Sequence, residues 1–153
     1  LEQCLPPKMR LEIEEVNGVH ILDDAYNANA DSMIAALETL NEMPCKGRRV
    51  AVLGDMGELG THTESAHAEI GRRAAELGVE QLFVVGKMAS VTGKAARDNG
   101  LNRVLEFVDI VAAAAAVKKF VKPGDVLLLK ASRKAGLERV AELLKAGETD
   151  RKN

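Results

Sequence analysis

Aromatic residues are scarce in this chain of 153 residues: they make up 3% of it, and tryptophan is absent. Proteins that bind single-stranded nucleic acid stack bases on aromatic side chains, so the scarcity argues against that function. An excess of one charge is also lacking, because 21 Lys and Arg residues nearly balance 23 Asp and Glu residues. Nucleic-acid-binding domains usually carry a marked positive excess. We therefore exclude a dedicated nucleic-acid binder.

Cysteine is rare as well, with Cys4 and Cys45 the only two. Neither has a CxxC partner or a histidine at metal-ligand spacing, which excludes a disulfide framework and a zinc-finger type of site. We predict two reduced thiols in a cytoplasmic protein. No apolar run reaches the 18 residues of a membrane-spanning helix, and no signal peptide is recognised at the start. We therefore predict no membrane partner.

Hydrophobic residues make up 46% of the chain, which is enough to build the core of one domain. We predict this domain over residues 1–146, followed by a disordered charged tail over 147–153. Because the first residue is Leu1 and not Met, we expect the chain to be a piece of a longer protein.

Short apolar runs alternate with longer segments of helical periodicity. Alternating residues at 9–16, then Asn17-Gly18 and a second strand at 19–22, predict an antiparallel hairpin. Further strands are predicted at 50–53, 81–85, 103–107 and 125–130. Helices are predicted at 31–40, 62–77, 88–99, 110–121 and 132–145, the first capped by Asp31 or Ser32. This order predicts an α/β fold: a Rossmann-like three-layer sandwich around a mostly parallel sheet of about six strands.

Ligands of such sheets bind beyond the carboxyl ends of the strands, here after Asp24, Asp55, Gly86 and Lys130. The first of these loops holds two acids, the only tyrosine and two asparagines. These groups could bind a ribose hydroxyl and the edge of a heterocycle. An Asx turn before a helix explains the same residues. Both interpretations stay open.

The second loop runs over 54–60 with the sequence GDMGELG. Its glycines would let backbone N–H groups approach an anion, but Asp55 and Glu58 suit an ammonium group better, and the loop is not a phosphate-binding P-loop. A flexible connection is the alternative. His67, in the helix that follows, is either a substrate contact or a surface histidine. Its spacing from His62 does not suit zinc, and we predict no metal site.

The last loop, Lys130-Ala131-Ser132-Arg133-Lys134, places three cations and a hydroxyl where the final strand is predicted to enter a helix. Cations at a helix N-terminus oppose the helix dipole, and a bound anion would offset this. A carboxylate or phosphate is the natural partner. A solvated basic turn is the alternative.

Three segments taken together resemble the C-terminal domain of the Mur ligases. They are DDAYNANADSM at 23–33, VLGDMGELG at 52–60 with His67 and Gly71 beyond it, and LKASR at 129–133. The resemblance is greatest to the ligases that join D-alanyl-D-alanine to UDP-MurNAc-tripeptide in peptidoglycan synthesis. The chain departs from the family at Ala30 and Ala131, where proline and glycine are usual.

The resemblance implies an ATP-dependent enzyme of three domains, in which this domain closes over ATP and positions the incoming dipeptide. ATP and Mg²⁺ would be held mostly by a central P-loop domain. The tripeptide carboxylate would become an acyl phosphate, which the amine of D-Ala-D-Ala attacks. The fragment alone is expected to be inactive and to contribute no catalytic residue of its own.

The resemblance also implies roles for single residues. Nucleotide contacts fall to Arg10, Asp24, Tyr26, Asn27 and Asn29. Contacts with the incoming dipeptide fall to Asp55, Glu58, His67, Ser132 and Arg133. Lys130, from the basic turn, is predicted to bind substrate with them.

Other assignments remain as alternatives. Other Mur-type and folylpolyglutamate-type amino-acid ligases share the fold. A receiver domain would also have an acid pair, a phosphorylated aspartate and a lysine at strand tips, as Asp23-Asp24, Asp55 and Lys130 could provide. It would need Ser or Thr near Gly86, however. A stand-alone dinucleotide-binding domain would need a Gly-rich turn after the first parallel strand, which is missing.

Overall fold

The computed structural model describes residues 12–24, 28–57 and 59–152, with only the backbone of 147–152. The strands of this part are β1 (Glu12–Val16), β2 (Val19–Asp24), β3 (Arg49–Leu53), β4 (Gln81–Val85), β5 (Val104–Phe107) and β6 (Val126–Lys130). Its α-helices are α1 (Ala30–Glu42), α2 (Thr63–Glu76), α3 (Ala89–Asp98), α4 (Ile110–Phe120) and α5 (Glu138–Lys152). Two 3₁₀ turns lie at Gly60–His62 and Arg133–Ala135.

The strands form one sheet in the order β1-β2-β6-β3-β4-β5. Only β1 is antiparallel, paired with β2 across a tight turn. Asn17 and Gly18 make that turn with positive φ angles of 52° and 79°, as a two-residue hairpin loop requires. The predicted mostly parallel six-stranded sheet with an N-terminal hairpin is confirmed.

Helices cover both faces of the sheet, which explains the continuous apolar runs of the central strands. Alternate residues of one strand point to opposite faces: Val52 packs in one hydrophobic cluster, while its neighbours Ala51 and Leu53 pack in the other. The first cluster includes residues of α4 and α5, and the second includes residues of α1, α2 and α3. The predicted three-layer sandwich is therefore confirmed.

The first helix begins earlier than predicted. Asn29, not Asp31 or Ser32, is its N-cap: the Asn29 side chain accepts a hydrogen bond from Ser32 N–H at 2.8 Å. The Ser32 hydroxyl in turn accepts from Asn29 N–H at 3.0 Å, which completes a capping box. The prediction of Asp31 or Ser32 as the N-cap is therefore wrong: Ser32 is the third residue of the helix and takes part in the cap through its hydroxyl.

The last helix also differs from the prediction. It does not start at Ser132 or Arg133, because those residues enter a 3₁₀ turn that Gly136 ends at φ 69°. Helix α5 begins at Glu138 and continues to Lys152, past the end predicted at Lys145. The division of the chain at residue 146 stays a prediction. In the part of the chain that the structure describes, none of the helices combines the length and the hydrophobicity needed to span a bilayer.

Candidate functional site

The carboxyl ends of three neighbouring strands lie side by side. Asp24, Lys130 and Leu53 are register partners across β2, β6 and β3. The loops that follow therefore leave the sheet at the same edge, as the sequence predicted for its three conspicuous segments. We call the carboxyl ends of these strands, together with the loops that follow them, the rim; the rim is the candidate site.

Asp24 and Lys130 form a buried ion pair there, with Lys130 Nζ 2.7 Å from Asp24 Oδ2. Lys130 is 1% exposed and Asp24 is 7% exposed. A buried charge is costly without its partner, so each side chain fixes the orientation of the other. Asp24 is predicted to contact a nucleotide and Lys130 a substrate. Each would have to do so while it stays paired with the other.

Asp55 ties three loops together. Its carboxylate accepts hydrogen bonds from the backbone N–H groups of Lys87 and Met88 at 2.9 and 3.0 Å. Its carbonyl accepts from Ser132 N–H at 3.0 Å. The turns after β3, β4 and β6 are thus joined at one residue. Gly86 permits the close approach, because a Cβ there would lie 2.6 Å from the Asp55 carboxylate.

His67 holds the turn after β3 from the other side. Met56 N–H donates to its Nε2 at 3.0 Å, and its Nδ1 lies 2.7 Å from Thr63 O. Because an N–H can only donate and a carbonyl can only accept, the ring proton must be on Nδ1. The alternative of a surface histidine is wrong, since His67 is 2% exposed. Both ring nitrogens are engaged with the protein's own backbone.

Ser132 and Arg133 lie on the turn after β6, as predicted. Ser132 is half-buried beside Asp55, and Arg133 is exposed. The predicted helix dipole at these cations is absent, because they precede a three-residue turn and not α5. That argument for an anion at Arg133 no longer holds, although its position at the rim does. A direct contact with substrate stays a prediction for both residues.

Several predicted site residues lie outside the described part of the chain: Arg10, Tyr26, Asn27 and Glu58. Asn29 is described, and its side-chain oxygen is used in the cap of α1. The interpretation of this segment as a capping loop is therefore supported at Asn29. Its contact with a nucleotide stays a prediction.

A cleft of about 480 Å³ opens between the turns joined by Asp55. Small-molecule sites usually measure about 300–1,000 Å³. The described residues that line it are Asp55, Met56, Gly57, Val85, Gly86, Lys87, Val108, Ile110, Ser132, Lys134 and Ala135. Among them, Lys87, Val108 and Ile110 were not expected to take part in a site. The carboxyl-end rule selects the loop after Gly86, but no motif marks the lysine in it.

Asp23, at the end of β2, lies in surroundings that disfavour its charged form. Burial raises the pKa of the Asp23 carboxyl, and nearby acids raise it further: Glu12, Glu14, Asp24 and Glu138. Its Oδ1 is buried and has no hydrogen-bond partner in the described part of the chain. Within that same part, no three His, Cys, Asp or Glu side chains converge as a metal site.

The comparisons with known proteins agree on one family. The profile described as "Mur ligase, glutamate ligase domain" matches residues 9–133. The UDP-N-acetylmuramoyl-tripeptide–D-alanyl-D-alanine ligase of Mycobacterium tuberculosis H37Rv is 40% identical over 87% of this chain. The ligase of that name from Escherichia coli K12 is 37% identical over 84%. The chain spans about 30% of the length of these relatives.

Solved structures give the same result. A MurF structure from Acinetobacter baumannii superposes with a TM-score of 0.80 and 31% identity, covering 95% of this chain and 32% of that one. MurF ligase from Thermotoga maritima in complex with ADP superposes with a TM-score of 0.73 and 30% identity, covering 94% of this chain and 32% of that one.

Proposed function

Because the chain belongs to the Mur ligase family, as its C-terminal domain, we propose that the full-length protein joins D-alanyl-D-alanine to UDP-MurNAc-tripeptide with ATP. The observation that carries the proposal is the 40% identity, over 87% of the chain, to relatives named for that reaction. Membership of this family excludes the alternatives of a receiver domain and of a stand-alone dinucleotide-binding domain. Other Mur-type ligases rank lower because four similar solved structures that are named for different Mur ligases are only 14–16% identical to this chain.

In the proposed reaction, ATP transfers its γ-phosphoryl group to the tripeptide carboxylate. The resulting acyl phosphate is attacked by the amine of the dipeptide, which forms an amide bond and releases phosphate. Water would hydrolyse the acyl phosphate, so the site must close before it forms. We assign that closure to this domain, acting in the cytoplasm, where ATP is supplied.

The rim of the sheet supports this role, because three loops are held in fixed relative positions before any ligand binds. Asp55 joins them through three hydrogen bonds, and His67 fixes the turn that Asp55 belongs to. Preorganised groups avoid the cost of ordering loops during reaction. We propose that Arg10, Asp24 and the 26–29 loop face the nucleotide, and that the turns after β3 and β6 face the dipeptide.

ATP and Mg²⁺ are proposed to be held mostly by the part of the protein outside this chain. The chain's own contribution is to orient and enclose, since its buried acid at the rim, Asp24, is already paired with Lys130. An isolated chain should therefore bind ATP weakly and form no product.

Phosphate release by the full-length protein tests the proposal. It should require ATP, UDP-MurNAc-tripeptide and D-Ala-D-Ala together, and mass spectrometry should show the tripeptide extended by the dipeptide. The chain of 153 residues, assayed alone, is the matched control and should be inactive. Product formed with a single amino acid but not with the dipeptide would contradict the proposed substrate.

A further inference from the structure

We propose that the cleft between the turns after β3, β4, β5 and β6 holds the carboxylate end of the incoming dipeptide, with Lys87 and Lys134 as its cationic contacts. The inference rests on the proposed function and adds two contacts to it: Lys87, which no motif marks, and Lys134, which lies in the basic turn but was given no role there.

The charges of the cleft favour an anion. Lys87 and Lys134 both line it and both are exposed, so their ammonium groups can reach a ligand. Asp55 is the acidic member of the described lining, and its carboxylate already accepts two backbone N–H groups. Two cations against one hydrogen-bonded carboxylate make the described lining suited to a carboxylate and not to an ammonium group.

The apolar part of the lining suits methyl side chains. Val108, which directly follows β5, is 90% exposed, and Ile110 begins α4 two residues later. Val85 and Ala135 line the cleft as well. An exposed valine at a rim gains free energy when a ligand's methyl group covers it. A dipeptide of two alanines offers two such methyl groups next to a carboxylate.

The chemistry of the reaction fixes the direction of the dipeptide. Its amine must point at the acyl group, which the rest of the protein carries. The opposite end, the carboxylate, is therefore the end that this domain can anchor. This reverses the expectation that Asp55 receives the ammonium group: Asp55 is instead a positioning residue that shapes the cleft through Lys87 and Met88.

Steady-state kinetics of the full-length protein test the inference, with D-Ala-D-Ala and its C-terminal amide as alternative acceptors. The wild-type protein should prefer the acid. Lys87→Met and Lys134→Met should each raise the KM for the acid about tenfold, as expected for loss of one charge-assisted contact. The KM for ATP and for UDP-MurNAc-tripeptide should not change. Lys119→Met, an exposed lysine in the last turn of α4, is the matched control and should behave as wild type.

The amide separates a contact with the carboxylate from a general effect. If the two lysines bind the carboxylate, the double variant should lose its preference for acid over amide while its KM for the amide stays near the wild-type value. An active double variant that keeps the full preference overturns the inference and leaves the proposed function standing. A wild-type protein that couples no dipeptide at all overturns both.

Discussion

Replacing His67 by leucine is the most direct test of how the rim is held. Leucine lacks the two ring nitrogens, but it fills this position, which is 2% exposed, with an apolar side chain of comparable size. The change therefore isolates the two hydrogen bonds, to Met56 N–H and to Thr63 O, from the creation of a large cavity.

The two bonds contribute unequally. Met56 is 5% exposed, so its N–H would be left without an acceptor away from water. An unsatisfied buried donor costs about 1–3 kcal/mol. Thr63 O lies in the first turn of α2, where it keeps its helical partner. Losing the imidazole there costs about 1 kcal/mol. The free energy of unfolding should fall by about 2–4 kcal/mol in total.

Urea unfolding of the chain, followed by circular dichroism, measures this difference. His62→Leu is the matched control: His62 is exposed and five residues earlier, and the free energy should change by less than about 0.5 kcal/mol. His67→Gln should recover part of the loss, because its side-chain oxygen can accept from Met56 N–H. If the His67→Leu protein is as stable as the His62→Leu control, the two hydrogen bonds of His67 do not hold the turn after β3.

Three further predictions concern other parts of the fold. Asp23→Asn should stabilise the chain at neutral pH, because burial raises the pKa of Asp23 and the charged form is therefore less favourable in the folded than in the unfolded state. Urea unfolding at several pH values should show the gain in stability above pH 3.8 and no gain below it. Gly71→Ala should cost about 2 kcal/mol or more in thermal unfolding, because its Cβ would lie 2.2 Å from Thr92 O. Burial would raise the pKa of Asp125, but hydrogen bonds from Arg48 outweigh the effect of burial and lower the pKa. Asp125→Asn should therefore reduce the free energy of unfolding by about 3 kcal/mol at pH 7. The reduction should become smaller as the pH falls below 3.8, where the carboxyl begins to be protonated in the unfolded chain.

Each of these has a control in the chain. Gly93→Ala, in the neighbouring helix, is the control: the atoms nearest to its Cβ belong to the side chain of Glu106, which is exposed and can move, so the loss should be smaller than for Gly71→Ala. Asp98→Asn removes an exposed acid paired with Lys94 and should change the free energy of unfolding by less than about 0.5 kcal/mol at pH 7. Equal losses in Gly71→Ala and Gly93→Ala would contradict the argument from close packing of α2 against α3.

The order and type of the elements could be predicted because two signals agree along this sequence. Residues 82–85 are apolar without interruption, and the structure buries all four of them in β4, where a strand was predicted. Aspartate is a favoured N-cap residue, and Asp109 caps α4: its carboxylate accepts a hydrogen bond from Val111 N–H at 2.7 Å. Local chemistry decides such features, so a single sequence is enough to find them.

The start of α5 could not be predicted, because the competing signals are local and nearly balanced. Residues 133–135 do turn, but Gly136 takes a left-handed conformation that ends the turn before the helix begins. The same balance misplaced the cap of α1, where Asn29 and Ser32 are both good capping residues. Only their mutual hydrogen bonds show that Asn29 comes first.

The roles at the rim were the hardest to predict, because residue type does not show which partner a group has already found. Asp55 and His67 are types that bind substrates in many enzymes, yet here backbone N–H groups already occupy them. Lys87 carries no motif and is placed at the cleft only by the hydrogen bond from its backbone to Asp55. A contact that depends on a loop 32 residues away cannot be read from either segment alone.

The division of labour at this rim follows from the cost of holding a loop still. A turn that contacts a ligand needs its backbone fixed in advance, and fixing each residue costs about 1–2 kcal/mol of conformational entropy. Hydrogen-bonded side chains such as the buried His67 and the half-buried Asp55 can offset that cost, because their partners belong to the protein's own backbone. An exposed lysine does not offset that cost, but its ammonium group can reach a ligand. Residues that hold the backbone and residues that bind the ligand should therefore be different residues, and substitutions in the two groups should affect different quantities: stability for the first, and the KM for the dipeptide for the second.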